Sequence, residues 1–256
     1  MEIGVNTAEA RNRRPPEYRD AVRADLLPRL ERLGRVRQIA RGESLRLDSR
    51  ANRNLHVIES GAIKLSQVTS NGGELVVGLF FDGEVIGLHG FVDASGASLA
   101  TALEPTRVRV APLAMIEELC CRDPVLHWEI IRRASQRIAQ LQQRIMIVGK
   151  GDSTERVAGF LVEMCNCRMA SDGSLRLPLS LNGIGDYLCM SLETVCRSLG
   201  RLQREGAIRK RGRLVQVLDR NRLIALAGKT GFVVDHRHAN FQARSTQQTL
   251  SEGGRA

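Results

Sequence analysis

The sequence predicts an α+β chain: a β-barrel or jelly roll first, one long helix next, and a winged helix-turn-helix last. Three observations carry this. Between about 36 and 112 the apolar residues come in short segments broken by glycine. After Asp123-Pro124 the apolar period changes to alternating steps of three and four. From 181 onward two short amphipathic helices follow one another and run into a basic hairpin. With 256 residues and a hydrophobic content of 43%, the chain can build one large core or two small ones.

In order along the chain, residues 1–18 are polar, carry Arg13, Arg14, Pro15 and Pro16, and read as a flexible arm. The barrel is expected over 19–122. In it LHVIESGAIKLSQV (55–68) reads as two strands around Ser60-Gly61, and ELVVGLFF (74–81) and TRVRVAP (106–112) read as further strands. Asn71-Gly72-Gly73 is a strong turn signal. Several short strands at this spacing suggest a barrel or jelly roll.

A single helix is expected over 123–150, opened by a proline in its first turn. Ile131, Ala134, Ile138, Leu141, Ile145 and Val148 repeat as an a/d seam over nearly three heptads, the pattern of a homodimer. The same stripe would also serve a helix that packs on its own barrel. Arg132, Arg133, Arg137, Gln140 and Arg144 fall off the seam, and Gly149-Lys150-Gly151 ends or bends the helix.

Residues 151–228 are expected to form the winged domain. Its first helix is read over 153–170, with Val157, Phe160, Leu161 and Met164 apolar. Helices at 181–188 and 192–205 are joined by Cys189-Met190-Ser191, and AIRKRGRLVQVLD (207–219) reads as a hairpin turning near Arg211-Gly212. From 229 to 256 the chain is polar and repetitive in Gln, Ser, Thr and Gly, the composition of a disordered tail.

The formal charge is +10 and the isoelectric point about 10.0, which favours an anionic partner, either nucleic acid or an acidic membrane surface. Aromatic content of only 4% argues against a base-stacking surface for single strands. No apolar run approaches the roughly 18 residues of a membrane span, and the first twenty residues lack the apolar centre of a signal peptide. A cytoplasmic protein is expected, with its six cysteines as thiols rather than disulfides.

The stretch LETVCRSLGRLQREG (192–206) concentrates the chemistry. Ser191 is a good N-cap for the helix that begins at Leu192. Steps of about 100° put Leu192, Val195, Leu199 and Leu202 on one arc, able to pack on Ile184 and Leu188. Glu193, Arg197, Gly200, Arg201 and Arg204 fall on another, with Cys196 at the border. From 192 to 213 seven Arg or Lys face two Glu, a local +5. Pure phosphate binding would avoid a carboxylate on that face. Base reading can use one, because Glu accepts from the cytosine amino group and Arg forks onto guanine. At i and i+4 the two can also do no more than brace each other.

The stretch LSLNGIGDYLCMSLETVCRSLGRLQREGAI resembles the DNA-binding domain of the Crp/Fnr family, closest to its Fnr/FixK branch. The matching core is I-x-D-Y-L-x-x-S-x-E-T-V-x-R-x-L-x-R-L-x-x-x-G. Ser60-Gly61-Ala62-Ile63 and Asp82-Gly83-Glu84-Val85-Ile86-Gly87 are similar to the glycine scaffold of the family's cyclic-nucleotide-binding-like barrel, and the likeness spans about 36–228. It implies a homodimeric transcription regulator that binds double-stranded DNA at an inverted repeat with a TTGAY-like half-site, and that contacts RNA polymerase. Glu193 and Arg197 are then base readers, with Leu192 and Cys196 beside them. Ser180, Ser191, Thr194, Arg201, Arg204, Lys210, Arg211 and Arg213 are expected on the DNA backbone. The family usually has serine or glycine where this chain has Cys196.

For the barrel, cyclic-nucleotide-binding relatives use an Arg-Ser or Arg-Thr pair for the phosphate; this chain has Gly96-Ala97-Ser98 there. Iron–sulfur members supply cysteines from an N-terminal arm, and here none precedes Cys120. No cofactor and no metal are therefore expected. Cys120-Cys121 reads as packing at the end of the barrel. Cys165 and Cys167 stand at i and i+2 of a helix and point to different sides. His56, His89 and His127 are scattered, Gly228-Lys229-Thr230 lacks the glycine five positions earlier that a phosphate loop needs, and no catalytic constellation stands out. An enzyme is not expected. The rival readings are a ligand-binding regulatory subunit acting on a protein partner, and a barrel enzyme with an appended helical domain. Cys196, near a helix N-terminus and one residue before Arg197, is also a candidate redox thiol.

Overall fold

A computed structural model describes residue 30 and residues 34–47, 53–68, 74–91 and 98–228. The arm at 1–18, the Asn71-Gly72-Gly73 turn and the tail at 229–256 lie outside the described residues.

Two antiparallel four-stranded sheets make the barrel. One runs β1 (Arg35–Ile39), β8 (Thr106–Pro112), β3 (Asn54–Ser60), β6 (Val85–Ile86); the other runs β2 (Ser44–Arg46), β7 (Ser98–Ala102), β4 (Ala62–Val68), β5 (Glu74–Phe81). Alternation fixes which face turns inward. In β7 Ser98, Ala100 and Ala102 are buried while Leu99 and Thr101 are half-buried. The inner residues Ile39, Ile58, Ile63, Phe80, Ile86 and Val108 form one apolar cluster between the sheets. Gly61 turns β3 into β4 at φ +112°, and a Cβ there would stand 2.5 Å from Thr106 Oγ1. That hydroxyl is itself committed, accepting from Ala62 N at 3.2 Å and donating to the Glu104 carbonyl at 2.8 Å. The pair Ser60-Gly61 is thus a corner that only glycine fits.

The strands of the barrel end at Pro112. Helix α1 (Leu113–Arg122) follows β8 directly, burying Leu113 and Ile116 against Leu55 and Val57. Cys120 and Cys121 lie on it: Cys120 packs at the edge of that cluster, but Cys121 is exposed, so only the first is packing.

Helix α2 (Pro124–Lys150) begins where the sequence says, with Asp123 Oδ1 accepting from Val125 N at 3.0 Å and Leu126 N at 3.1 Å. Its basic residues are not a solvated face. Arg132 and Arg133 both pair with the buried Glu129, at 2.5 and 2.7 Å, and Arg133 also donates to the Gly83 carbonyl. Arg137 donates to the Val77 carbonyl at 3.1 Å and stacks on Phe80. The seam is the more open side: Ile131, Ile138, Leu141 and Ile145 are exposed, and Ala134 and Val148 are half-buried.

The third part holds α3 (Ser153–Arg168), β9 (Ser174–Arg176), α4 (Leu181–Leu188), α5 (Leu192–Arg204), β10 (Ile208–Arg211), β11 (Leu214–Val217) and α6 (Arg220–Leu226). A capping box opens α3, formed by Asp152 and Glu155. The helix stops at Arg168, short of 170, where Met169 turns extended. The hairpin is wider than expected, because β9 adds to it in the order β10-β11-β9. Among the described residues no helix is long and apolar enough to cross a membrane.

Candidate nucleic-acid interface

Two caps and one turn set the angle between α4 and α5. Ser180 caps α4, its Oγ accepting from Gly183 N at 3.1 Å. Ser191 caps α5, its Oγ accepting from Thr194 N at 3.3 Å and lying 2.9 Å from Thr194 Oγ1. Between them Cys189 adopts the left-handed conformation at φ 56°, ψ 49°. Gly185 lets the turn close: a Cβ there would stand 2.5 Å from the Met190 carbonyl. Cys189 is exposed and carries backbone strain that glycine does not. Cys189→Gly should therefore raise unfolding free energy by about 0.5–1 kcal/mol in denaturant titration; a less stable variant would show that the thiol makes a contact outweighing the strain.

Helix α5 is buried on Val195, Ser198, Leu199 and Leu202, which pack with Ile184 and Leu188 of α4 in the largest apolar cluster. The arc is rotated from the one read in the sequence. Leu192 is 45% exposed, and Ser198 is buried in its stead with no partner for its Oγ. Leu192, in the first turn of α5, joins the outer surface.

That outer surface carries Leu192, Glu193, Cys196, Arg197, Arg201 and Arg204, all exposed. Arg197 Nε lies 3.9 Å from Glu193 Oε1, and its Nη2 is 3.4 Å from Thr194 Oγ1. Among the described residues Arg201, Arg209 and Arg211 have no ion pair. Beside the helix, the β10–β11 hairpin turns at Gly212, φ +59°. Gln203 Oε1 accepts from Lys210 N at 2.8 Å and ties the hairpin to α5. Arg213 is used differently from its basic neighbours. Its Nη2 donates to the carbonyls of Leu177 at 3.2 Å and Pro178 at 2.6 Å, which braces the hairpin from behind and leaves less of the guanidinium for a phosphate. The result is a helix whose exposed face is basic and carries the single acid Glu193, with a basic hairpin alongside. Exposed arginines that lack acidic partners fit a polyanion, and an exposed polar helix face fits a major groove.

Two cysteines of α3 are chemically quiet. Burial pushes the Cys165 thiol up to about 11 and Cys167 higher still.

In the barrel, a cavity of about 290 Å³ lies between the sheets and α2, lined by Leu65, Phe80, Ile86, His89, Arg137 and Leu141 among others. Glu84 is already engaged beside it. Its Oε2 accepts from Phe81 N at 2.7 Å and its Oε1 from Gln140 Nε2 at 3.3 Å. Arg137 is held by Val77 and Phe80. A cyclic nucleotide would find neither an open carboxylate nor a free arginine. Cyclic AMP at millimolar concentration should leave both melting temperature and DNA affinity unchanged; a saturable thermal shift would mean that these side chains rearrange to receive it.

Residues 36–123 match the family model of the cyclic nucleotide-binding domain, and residues 155–226 match that of the Crp-like helix-turn-helix domain. Electron transport regulator A of Shewanella oneidensis is 33% identical over 198 residues, 76% of this chain and 79% of the relative. Transcriptional activator protein FnrA of Stutzerimonas stutzeri is 34% identical over 197 residues, 76% of this chain and 81% of its own. Among solved structures, FixK2 from Bradyrhizobium japonicum is similar with a TM-score of 0.68 and 26% identity, covering 76% of this chain and 97% of that one.

Proposed function

This chain belongs to the Crp/Fnr family of DNA-binding transcription regulators, and from that premise we propose that it binds an inverted repeat with a TTGAY-like half-site as a homodimer. The observation that carries the reading is the outer face of α5, where Glu193 and Arg197 stand exposed within 3.9 Å of each other. Glu193 accepts from a cytosine amino group and Arg197 forks onto a guanine, while Leu192 and Cys196 give the flanking contacts. Ser180, Ser191, Thr194, Arg201, Arg204, Lys210 and Arg211 sit on phosphates, with Arg213 mainly positioning the hairpin. The labour divides at 19–122 for the barrel, 123–150 for the dimer helix and 151–228 for DNA. Two protomers joined along Ile131, Ala134, Ile138, Leu141, Ile145 and Val148 would set their recognition helices about 34 Å apart, one turn of DNA. Contact with RNA polymerase, and with it activation, rests on the family alone.

Footprinting on an inverted repeat tests the reading. Protection of two half-sites with two-fold symmetry is expected; protection without symmetry, or none on any sequence selected from random DNA, would overturn it.

Cys196 adds a separate proposal. It is an exposed thiol beside Arg197, and oxidation to a sulfenic or sulfinic acid would put bulk and negative charge against the DNA. Mild peroxide should abolish specific binding by the wild type, and thiol reductant should restore it after short exposure. Cys196→Ser should bind and resist peroxide, whereas Cys189→Ser should stay sensitive. Loss of binding by Cys196→Ser at the wild-type rate would reduce Cys196 to a surface filler.

A further inference from the structure

The recognition helix is joined to the barrel by more than the chain. Val76, Leu79 and Phe81 of β5 share one apolar cluster with Tyr187 and Leu188 of α4, and α4 in turn packs on α5. At this contact Arg144 of α2 donates to the Val76 carbonyl of the barrel and, at 2.9 Å, to the Tyr187 carbonyl of the helix-turn-helix. Its guanidinium carbon also lies 4.2 Å from the centre of the Tyr187 ring. The hydroxyl of that ring reaches both carboxyl oxygens of Glu163 on α3, at 3.1 and 3.2 Å. One arginine thus spans three parts of the molecule, and its stacking partner ends on the half-buried acid Glu163.

We propose that Glu163, Tyr187 and Arg144 form a latch that holds the recognition helix at a set angle to the barrel, and that ionisation of Glu163 loosens it. The reason is solvation. An ionised carboxylate needs several donors, and Glu163 has the Tyr187 hydroxyl. The rest must come from water, and parting α4 from β5 widens water's access to a side chain that is half-buried in the closed form. Because α4 carries α5, that parting turns the exposed face of α5 relative to the dimer helix. The proposal concerns the contact between domains and goes beyond the DNA reading.

The surroundings of Glu163 decide the direction. Tyr187 faces it from α4, Arg144 and Arg137 from α2, Glu84 from the barrel, and Cys167 from its own helix. Burial pushes the Glu163 carboxyl up to about 7, against smaller downward pulls from the Tyr187 hydrogen bond and from Arg144 and Arg137, and with an upward push from Glu84. Burial also raises Tyr187 and Cys167, so neither becomes charged near neutrality. When the contact opens, water returns Glu163 to its ordinary value of 4.5. The closed form therefore binds the proton more tightly. Its advantage is complete below about 4.5, declines as pH rises, and is gone above about 7. The latch is closed in acid and loose at and above neutral pH.

Hydrogen exchange on the full chain without DNA tests this, read over residues 74–81 and 181–188 and corrected for intrinsic rates. In the wild type, protection of both segments should fall at least about fivefold between about pH 5.5 and about pH 8, while residues 54–60 in the barrel stay unchanged. Glu163→Gln, which keeps the bond to Tyr187 but cannot ionise, should hold its acid-state protection at both values. Arg144→Met should open both segments at both values. A Glu163→Gln protein that follows the wild-type pH profile would remove the proton control, and an Arg144→Met protein with wild-type protection would remove the latch. Should Arg144→Met fail to fold, Glu163→Gln against wild type still decides, and neither result depends on whether the protein binds an inverted repeat.

Discussion

Ile138→Glu should turn the dimer into a monomer and weaken binding to a full inverted repeat by at least about 100-fold, while binding to an isolated half-site changes little. Ile138 is 57% exposed at the middle of the seam, between Ile131 at 40% and Ile145 at 69%. Such a row of large apolar side chains on one face of a helix is a surface that wants a partner. A two-fold axis along the helix would bring the two introduced carboxylates close together. The side chains that could neutralise them are turned away. Arg133, Arg137 and Arg144 all donate to barrel carbonyls. Ile138 also lies outside the apolar clusters, so the protomer should keep its fold and its melting behaviour at low concentration. Sedimentation gives the mass, and parallel titrations of full and half sites give the ratio. A wild type that sediments as a monomer with and without DNA would overturn the dimer and the two-fold site together.

Where the sequence carries a local, chemically specific signal, structure can be read from it directly. Asp123 before Pro124, Ser191 before Leu192 and Gly212 at the hairpin tip each satisfy a backbone need that few residues meet, and each sits where it was expected. The elements that escaped are those defined by distant partners. Strand β9 is three residues long and exists because β11, almost forty residues later, pairs with it. Strand β1 is exposed over four of its five residues, so its alternation carries no signal, and it is held by pairing with β8. The arginines of α2 follow the same logic. Their spacing says that they lie off the seam, but not that carbonyls of β5 and the Gly83 turn stand opposite. In α5 a helical wheel places residues by angle alone, so it could not tell that Leu192 in the first turn stays exposed and that Ser198 takes the buried position. The exposed face of α5 was legible as a class, a capped helix with one acid among arginines. The exception was Arg213, whose carbonyl partners come from the segment before α4.

Arg197→Ala should cost about 1–3 kcal/mol in each half-site, about 2–6 kcal/mol for a two-fold complex, and should relax preference at the guanine it reads. Arg197 is exposed, and its contacts to Glu193 at 3.9 Å and Thr194 at 3.4 Å orient the guanidinium without anchoring it. The side chain can leave both for a base edge at little cost, and its loss should not disturb a core built on Val195, Leu199 and Leu202. Removing it also leaves Glu193 with no cation at i+4, so the carboxylate would face the DNA field unbraced, and the cytosine contact should weaken with the guanine contact. Arg211→Ala is the control. Arg211 is exposed beside the hairpin tip and, as a phosphate contact, should weaken all sequences alike and lower the slope of log affinity against log salt by about 1 for each phosphate lost. The discriminating quantity is the ratio of affinities for the preferred site and for a site altered at one guanine, taken at fixed salt. It should fall for Arg197→Ala and hold for Arg211→Ala. Equal ratios for Arg197→Ala and wild type would take base reading away from Arg197 and leave it as the brace of Glu193.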